Sequence, residues 1–277
     1  MSVPPVLDVV IPCFNAESTL DRAVESALGQ PGVRSVWLVD DASTDGTADR
    51  MADWARCEPA RVCLWRQPCN RGVAAARNVG AWQSDADCLA FLDADDAYEA
   101  HALDAALMAL HLHAHIGMVR LRLTPVDFPE VYVQHAQFAH AWQVLSMTVG
   151  GNIVCRRSLF LAAGGFPEHA LFRRLGGEDA ALGIALTRSS VVGTLWEGPG
   201  VRHYFHAGIH AERLLRQHLW GESDDRIQPA DREQAEQVTL DICARLSSLQ
   251  AVLDAPRKGI CPLTVEYAPS GGQGLQP

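Results

Sequence analysis

The chain has 277 residues, of which 48% are apolar and 20% charged, so it can bury a substantial core as one large domain or two small ones. Its 23 basic and 33 acidic residues give a net charge of −10, which opposes binding to phosphate backbones and excludes nucleic acid as the principal partner. Lys258 is the only lysine and follows no glycine-rich loop, which excludes a Walker A phosphate-binding loop.

The cysteines and the amino terminus point to a cellular compartment. The eight cysteines form no C-x-x-C pair, a usage typical of a protein in a reducing cytoplasm. The first residues, Met-Ser-Val-Pro-Pro, show no basic region followed by an apolar stretch, so a signal peptide is not indicated. No eighteen-residue window is both charge-free and strongly apolar, so we expect no transmembrane segment. The sequence predicts a cytoplasmic protein, free or peripheral to the membrane.

The first half of the chain alternates short apolar runs with amphipathic segments. Leu7 to Ile11 is an aliphatic run that we expect to end at Pro12, which predicts a strand. Apolar positions then recur at helical spacing between Ser18, a candidate cap, and Gly29. The same reading predicts strands at 35–39, 62–65, 88–92 and 118–123 and helices at 47–55, 73–82 and 99–113. Strands alternating with helices predict an α/β fold with a mainly parallel central sheet flanked by helices.

The later part of the chain is harder to interpret. Residues 124–147 carry prolines, aromatics and scattered histidines, and we expect an irregular substrate-side segment in which Trp142 touches the acceptor. A second ordered block is expected at 150–205. Helical patterns are predicted at 211–219 and 231–253. We therefore expect a helical carboxyl-terminal extension over 211–267 and a disordered tail over 268–277.

Polar clusters follow four of the predicted strands, which matters because ligands of open parallel sheets bind beyond the carboxyl ends of the strands. These clusters are Pro12-Cys13-Phe14-Asn15, Asp40 to Gly46, Asn70-Arg71-Gly72 and Asp93-Ala94-Asp95-Asp96. Each one alone has a plain structural interpretation as a turn or a helix cap; for example, Asp95 or Asp96 would cap a helix near Glu99. Together they would line one crevice.

The pair Asp93 and Asp95 is the most informative of these clusters. Two carboxylates around one small residue, directly after an apolar strand, create a strong negative field. Hard divalent ions such as Mn²⁺ or Mg²⁺ bind through one or two protein carboxylates, with water and phosphate oxygens at the remaining positions. A metal-bound pyrophosphate group is therefore indicated.

At this point the sequence resembles the family 2 glycosyltransferases of the GT-A fold. The matching stretches are V-V-I-P-C-F-N-A-E-S-T-L (9–20), L-V-D-D-A-S-T-D-G-T (38–47), N-R-G-V-A-A-A-R-N-V-G (70–80), F-L-D-A-D-D (91–96), G-G-N-I-V-C-R-R-S-L-F (150–160), G-G-F-P-E (164–168) and G-E-D-A-A-L (177–182). The resemblance implies a GT-A domain over 1–210, with a nucleotide-binding half at 1–123 and an acceptor half at 124–210.

The resemblance also implies roles for individual residues. The donor nucleotide sugar, expected to be a UDP-sugar, would be bound by Pro12, Phe14, Asn15, Asp40, Asp41, Arg71, Arg77, Asp93 and Ala94. Phe14 would pack beside the base, which Asp41 would contact. Asp95 would ligate Mn²⁺ or Mg²⁺, with Asp93 near the metal and His206 as a further candidate ligand.

Glu178 and Asp179 resemble the E-D motif of the family, in which the aspartate is the catalytic base. Direct displacement at an anomeric carbon needs a base at the acceptor hydroxyl and stabilisation of the departing diphosphate on the other side. The two acids are also compatible with a helix start, because acids are favoured at the amino terminus of a helix. The motif is followed by Ala180-Ala181-Leu182-Gly183 instead of the frequent aromatic residue, which leaves the shape of the acceptor pocket open.

The resemblance therefore implies an inverting glycosyltransferase of polysaccharide biosynthesis that acts on a glycan, a glycolipid or another hydroxyl compound. A sugar-phosphate nucleotidyltransferase is one alternative, although the expected basic glycine-rich loop does not follow the first strand. A non-catalytic nucleotide-sugar-binding protein is another. A dinucleotide-binding dehydrogenase is disfavoured because no G-x-G-x-x-G follows that strand.

Overall fold

A computed structural model describes residues 4–206, 208–248 and 259–263 of the chain. The strands in these ranges are β1 (Leu7–Cys13), β2 (Val33–Asp40), β3 (Val62–Arg66), β4 (Cys88–Phe91), β5 (Ala97–Tyr98), β6 (Ile116–Arg120), β7 (Leu123–Val126), β8 (Ile153–Arg156), β9 (Val191–Leu195), β10 (Val201–Tyr204) and β11 (Gly259–Leu263). The helices are α1 (Leu20–Leu28), α2 (Thr47–Cys57), α3 (Val73–Gln83), α4 (Asp104–Leu112), α5 (Glu130–Val133), α6 (Phe138–Ser146), α7 (Arg157–Ala163), α8 (Ala170–Leu175), α9 (Glu178–Ser189), α10 (His210–Trp220) and α11 (Pro229–Ser248).

Within the described ranges, eight strands form a large sheet in the order β11-β9-β6-β8-β4-β1-β2-β3, and a small sheet has the order β5-β10-β7. In the large sheet β8 runs antiparallel to both of its neighbours, and the other pairs are parallel. The predicted α/β fold with a mainly parallel sheet flanked by helices is therefore confirmed.

The strand register brings the predicted crevice together. Cys13 of β1 pairs with Asp40 of β2, and Asp40 in turn pairs with Arg66 of β3. On the other side, Val10 of β1 pairs with Phe91, the last residue of β4. Because these strands are parallel, the polar segments that follow them emerge at the same edge of the sheet.

Apolar residues fill both faces of the large sheet because successive strand side chains point to opposite faces. Val9 and Ile11 of β1 lie in one core cluster, together with residues of α1 and α4. Val10 lies in the other, with residues of α3, α7 and α9. Every residue of β1 is buried, as expected for a central strand that is covered by helices on both faces.

Helix α3 packs unusually close to the sheet because its buried face is made of small residues. Ala74, Ala75, Ala76 and Ala81 are all buried. A Cβ at Gly80 would lie 2.5 Å from Cγ1 of Val10, a distance that no real side chain tolerates. Arg77 of the same helix is buried, and its side chain reaches Asp93 in the loop after β4.

Several local predictions about the first half are wrong. Strand β1 does not end at Pro12 but continues through it to Cys13; the proline nitrogen needs no ladder partner there. The cap of α1 is Thr19 rather than Ser18, and Thr19 caps without a side-chain hydrogen bond. The helix expected from residue 99 begins only at Asp104, so Asp95 and Asp96 do not cap it.

The prediction of an irregular segment at 124–147 is also wrong. It contains β7, α5 and the nine-residue helix α6. Trp142 of α6 is buried, and its indole N–H donates to the carbonyl of Leu123 over 2.7 Å. Trp142 is therefore a core residue and not an acceptor contact.

The carboxyl-terminal extension is not purely helical. Helices α10 and α11 occupy His210–Trp220 and Pro229–Ser248, but Gly259–Leu263 forms the strand β11. This strand pairs in parallel with β9 and so extends the large sheet. The predicted helical residues 249–253 and the predicted tail at 268–277 lie outside the described residues.

Candidate active site

The loops after β1 and β2 are tied to each other. Asn15 has a φ of 49°, which an asparagine tolerates better than most residues. Its backbone N–H donates to Oγ of Ser43 over 3.0 Å, and its side-chain Oδ1 accepts from the backbone N–H of Thr44 over 2.9 Å. Phe14 beside it is 50% exposed. An aromatic ring is therefore presented at the rim of the crevice, whereas Pro12 is buried within β1.

Asp41 organises the turn that follows β3. Its Oδ1 accepts from the side chain of Gln67 over 2.8 Å and from the backbone N–H of Arg71 over 2.7 Å. Its Oδ2 accepts from the backbone N–H of Gly72, also over 2.7 Å. Burial raises the pKa of Asp41, and these two backbone donors act in the opposite direction. Asp41 is thus committed to holding the backbone of Arg71 and Gly72.

Asp40 and Arg71 are engaged in contacts of their own. Oδ1 of the buried Asp40 accepts from the backbone N–H of Ser43 over 2.9 Å, and Oδ2 lies 3.1 Å from Nε of Arg66. Arg71 is half-exposed and forms an ion pair of 2.7 Å with Glu168. This ion pair joins the turn after β3 to the Gly164–Glu168 loop.

The acidic segment after β4 sends its three carboxylates in different directions. Asp93 Oδ1 lies 2.5 Å from Nη2 of Arg77. Asp95 Oδ2 lies 2.8 Å from Nε2 of His206, and both of these side chains are partly exposed, at 34% and 51%. Asp96 is fully buried, and its Oδ2 lies 2.7 Å from Nδ1 of His203. Ala94, between the first two acids, is buried.

Asp96 was not expected to have this role. It joins the segment after β4 to the small sheet, because it also accepts from the backbone N–H of Tyr204 over 3.1 Å. Burial raises its pKa to about 6, against the opposing charge of His203. Arg22 of α1 supports the same segment, since it donates to the carbonyl of Asp95 and lies 3.5 Å from the ring centre of Tyr204. In the sequence, the third acid of D-A-D-D was the one feature that pointed to Asp96. No sequence pattern pointed to Arg22.

Arg77 links the two halves of the site. Its Nη2 bonds Asp93, and its Nη1 lies 3.3 Å from Oε1 of Glu178. Burial disfavours the charged guanidinium, but the carboxylates of Asp93, Glu178 and Asp179 outweigh this effect and raise the pKa of Arg77. The terminal nitrogens of Arg77 therefore point to protein carboxylates, where the resemblance implied a contact with the donor.

Two glycines make room for this arrangement. A Cβ at Gly150 would lie 2.8 Å from Nη1 of Arg77, and one at Gly151 would lie 2.9 Å from Oδ2 of Asp93. Both distances are shorter than real side-chain contacts. The backbone at Gly150 and Gly151 therefore lies too close to Arg77 and Asp93 for any side chain to fit between them.

Glu178 and Asp179 begin helix α9, after Gly177 with a φ of 97°. Asp179 Oδ2 accepts from the backbone N–H of Gly150 over 3.0 Å, and its Oδ1 accepts from the N–H of Ala180 over 2.8 Å. Burial, followed by the charge of Asp179, raises the pKa of Glu178 to about 7. Burial also raises the pKa of Asp179, against the opposing charge of Arg77. These are the conditions under which a carboxylate becomes a stronger base.

The donor set for a metal ion is small. Among the described residues, no three His, Cys, Asp or Glu side chains lie together as a ready-made metal site. Asp95 and His206 nevertheless form an accessible pair of one oxygen and one nitrogen donor. Mn²⁺ accepts this combination, and an ion that keeps several positions for water and phosphate needs few protein ligands. The residues therefore fit a metal ion whose remaining coordination positions are filled by a bound substrate and water.

The fold and the site define a class of protein: a GT-A α/β domain with polar and acidic side chains beyond the carboxyl ends of its parallel strands. The model of the family described as "Glycosyl transferase family 2" matches residues 8–165. The chain belongs to this family.

Two curated relatives match shorter stretches. An uncharacterized glycosyltransferase of Haemophilus influenzae is 36% identical over 93 residues, which is 33% of this chain and 37% of the relative. The succinoglycan biosynthesis protein ExoU of Rhizobium meliloti is 39% identical over 95 residues, 34% of this chain and 28% of the relative. The matches thus span well under half of either relative.

Solved structures share the fold over most of the chain. TarS 1-349 of S. aureus in complex with UDP has a TM-score of 0.57 at 17% identity, over 90% of this chain and 86% of that one. Mannosyltransferase PcManGT of Pyrobaculum calidifontis, in complex with GDP-Man and Mn²⁺, has a TM-score of 0.56 at 20% identity, over 93% and 77%. At these identities the likeness shows the fold. Within the described ranges, we find no helix of the length and apolarity that crossing a bilayer requires.

Proposed function

We propose that the chain is an inverting glycosyltransferase that moves a sugar from a nucleoside-diphosphate donor to an acceptor hydroxyl by a single displacement. One observation carries this proposal: Arg77 joins Asp93, which follows β4, to Glu178, which begins α9, through contacts of 2.5 Å and 3.3 Å. This link supports a site in which the acids expected to face the donor and those expected to face the acceptor are neighbours. A single displacement requires this proximity of the two sets.

Asp179 is the proposed base that removes the proton of the acceptor hydroxyl. The Gly150 and Ala180 N–H groups fix its carboxylate, and burial raises its pKa towards the range that general-base catalysis needs. Glu178 shares the site and is held by Arg77. Each carboxylate oxygen of Asp179 accepts from one of these N–H groups. The other lone pairs of the two oxygens would accept the proton of the acceptor hydroxyl.

On the donor side, Asp95 and His206 are the proposed ligands of Mn²⁺ or Mg²⁺, and Asp93 of the same segment is a further proposed acidic residue of this site. Such an ion, when bound, supplies the positive charge that stabilises a departing diphosphate. Phe14 and Asn15 would line the nucleotide site, with Pro12 and Ala94 forming its backbone walls. Asp40 and Asp41 would shape this site through the loops that they hold. Arg71 would be drawn from Glu168 by the diphosphate, because both are anionic partners for its guanidinium.

The relatives support the proposed classes of donor and acceptor. TarS has been solved with UDP and with UDP-GlcNAc, and PcManGT with GDP-Man and Mn²⁺. These complexes support a nucleotide-sugar donor, and we propose a UDP-sugar. The name of ExoU refers to succinoglycan biosynthesis, which supports polysaccharide biosynthesis and a glycan, glycolipid or other hydroxyl compound as acceptor. We place this activity in the cytoplasm or at the membrane surface.

The decisive test is donor hydrolysis without acceptor. The full chain is incubated with UDP-sugars and GDP-sugars, with Mn²⁺, with Mg²⁺ or with EDTA, and release of the nucleoside diphosphate is measured. We expect release from one donor that requires the metal ion. Pyrophosphate release from a nucleoside triphosphate and a sugar phosphate would indicate a nucleotidyltransferase instead. Tight donor binding with no turnover, even with a panel of glycan acceptors, would indicate a non-catalytic binding protein.

A further inference from the structure

Arg120, at the end of β6, is a buried cation without an ion pair among the described residues. It is 1% exposed. Its Nη1 donates to the carbonyl of Val149 over 2.8 Å and to Oδ1 of Asn152 over 3.1 Å. Its Nε and Nη2 have no hydrogen-bond partner in the described part of the chain. Burying a charge in this way costs free energy, so we expect Arg120 to have a functional role that offsets this cost.

The peptide group to which Arg120 donates a hydrogen bond indicates this role. The carbonyl of Val149 and the N–H of Gly150 belong to the same peptide bond. Arg120 donates to that carbonyl, and that N–H donates to Oδ2 of Asp179 over 3.0 Å. A cation at the oxygen of a peptide polarises it and strengthens its N–H as a donor. Arg120 therefore acts on the Asp179 carboxylate through one rigid, planar group.

Helix α9 is shaped to admit this side chain. Gly183 lies four residues after Asp179, on the same face of the helix. A Cβ at Gly183 would overlap with Nη2 of Arg120. The guanidinium thus packs directly against the helix that carries Asp179, one turn further along.

Among the residues that the structure describes, Arg77 and Arg120 are cations whose charges favour the ionised form of Asp179. Asp93 after β4 and Glu178 beside it are acidic; Arg77 of α3 and Arg120 of β6 are basic. His210 of α10 also senses the charge of Asp179, although burial lowers the pKa of this histidine. Burial lowers the pKa of Arg120 to about 10, with Asp179 opposing the change, so Arg120 is a cation at neutral pH.

We propose that Arg120 is a positioning residue for Asp179, which it orients and keeps ionised through the Val149–Gly150 peptide. The proposal rests on the proposed function, in which Asp179 removes the acceptor proton. Because Arg120 is 1% exposed, we do not expect it to touch the substrates. It should therefore affect turnover and its pH dependence while leaving the affinity for the donor unchanged.

The test replaces Arg120 by Met, which fills much of the same volume without charge. For Arg120→Met we expect turnover to fall by about 10-fold to 100-fold, as for other residues that act through a functional group. The acidic limb of the kcat profile should move to higher pH by about half a unit or more, because a cation near the base is lost. Donor affinity, measured by calorimetry with Mn²⁺, should stay within about twofold. Arg188→Met is the matched control, since Arg188 lies on α9 but is exposed and pairs with Glu236.

The outcomes separate this inference from the function on which it rests. If Asp179→Asn keeps near-normal turnover, the proposed base is wrong. If Asp179→Asn is inactive but Arg120→Met keeps the wild-type pH profile, the role of Arg120 is wrong and the base stands. Should Arg120→Met fail to fold, Gly183→Ala gives the same answer, because its Cβ displaces the guanidinium while alanine favours the helix. An unshifted profile in Gly183→Ala would overturn the inference.

Discussion

The guanidinium of Arg77 lies 2.5 Å from the carboxylate of Asp93, and the same side chain reaches Glu178 with its other terminal nitrogen. The side chains of Arg77 and Glu178 are 4% and 9% exposed, and that of Asp93 is 24% exposed, so the centre of this triad is shielded from water. A buried charge network of this kind adds little net stability when complete. Its value lies in the geometry that it imposes on the acids of the two halves of the site.

Removing the centre of the triad should therefore damage both stability and activity. For Arg77→Met we expect unfolding free energy to fall by about 3 to 5 kcal/mol, because two partly buried carboxylates lose their cation. Transfer should fall by more than about 10-fold, since Asp93 and Glu178 lose their fixed positions. Urea denaturation and donor turnover measure the two effects. The exposed pair of Arg188 with Glu236 provides the control: Arg188→Met should cost less than about 1 kcal/mol, and an equal loss in both variants would contradict the prediction.

Asp179→Asn tests the base directly. The two N–H donors bond different oxygens of Asp179, so the single amide oxygen of asparagine can accept from only one of them, and the side chain can no longer take a proton. We expect transfer to fall by about 10²-fold to 10⁴-fold with donor binding unchanged by calorimetry.

The wild-type protein should show the matching pH dependence. A base must be deprotonated, so transfer should fall as the pH drops through the pKa of Asp179. Because burial raises that pKa, the fall should begin well above the pH at which an exposed aspartate titrates. A profile that stays flat down to pH 4, with the protein still folded, would argue against a carboxylate base.

Glu178 gives a prediction about stability. Its pKa in the folded protein is about 7, against 4.5 as its ordinary value, so between these values the folded state binds more protons than the unfolded state. The contribution of Glu178 to stability is thus full at low pH and is lost as the pH rises towards 7. The unfolding free energy of Glu178→Gln relative to wild type should therefore increase between pH 5 and pH 8. Parallel stability curves for the two proteins over this range would show that the carboxyl is not perturbed.

The sequence predicted the edge of the sheet at which the site lies, because strand ends can be read from local patterns. Asp41 follows β2 and Asp93 follows β4, and the parallel register brings the ends of these strands to one edge of the sheet. Asp179 begins α9 beside Glu178, which Arg77 joins to Asp93. The contacts of Arg77 could not be predicted in this way. Its partners lie 16 and 101 residues away along the chain, and no periodicity relates positions that only the tertiary fold brings together.

The sequence predicted neither helix α6 nor the burial of Arg120, for different reasons. Helix α6 could have been found, because Phe138, Ala141, Trp142 and Leu145 are buried at helical spacing; the aromatics and histidines around them obscured the pattern. Arg120 could not have been found, because an arginine at the end of an apolar strand usually reaches solvent. Only the tertiary fold, in which Gly183 of α9 lies against the guanidinium, shows that this side chain is buried.

The paired donors Asp95 and His206 lead to a metal prediction. Their contact of 2.8 Å places an oxygen and a nitrogen side by side in an accessible position. We expect His206→Ala and Asp95→Asn to weaken donor binding about 10-fold or more in Mn²⁺, a loss comparable to that of other metal-site changes. In EDTA both variants should bind the donor like wild type. The exposed His140 of α6 is the control, and equal losses with and without the metal ion would contradict a ligand role.

Gly80 connects the packing of α3 to the chemistry of the site. A methyl group at this position would lie 2.5 Å from Cγ1 of Val10 and 3.2 Å from Cγ2 of Val39, so Gly80→Ala must lift the helix away from the sheet. We expect a loss of about 1 to 3 kcal/mol in unfolding free energy, which is typical of an overpacked core. Because Arg77 lies one turn earlier on the same helix, turnover should fall more than the folded fraction does. Gly29→Ala serves as the control, since Gly29 follows α1 with a φ of −74° and its Cβ would meet only carbonyl oxygens of its own helix. If both variants retain wild-type turnover per folded molecule, the close packing of α3 against the sheet does not determine the position of Arg77.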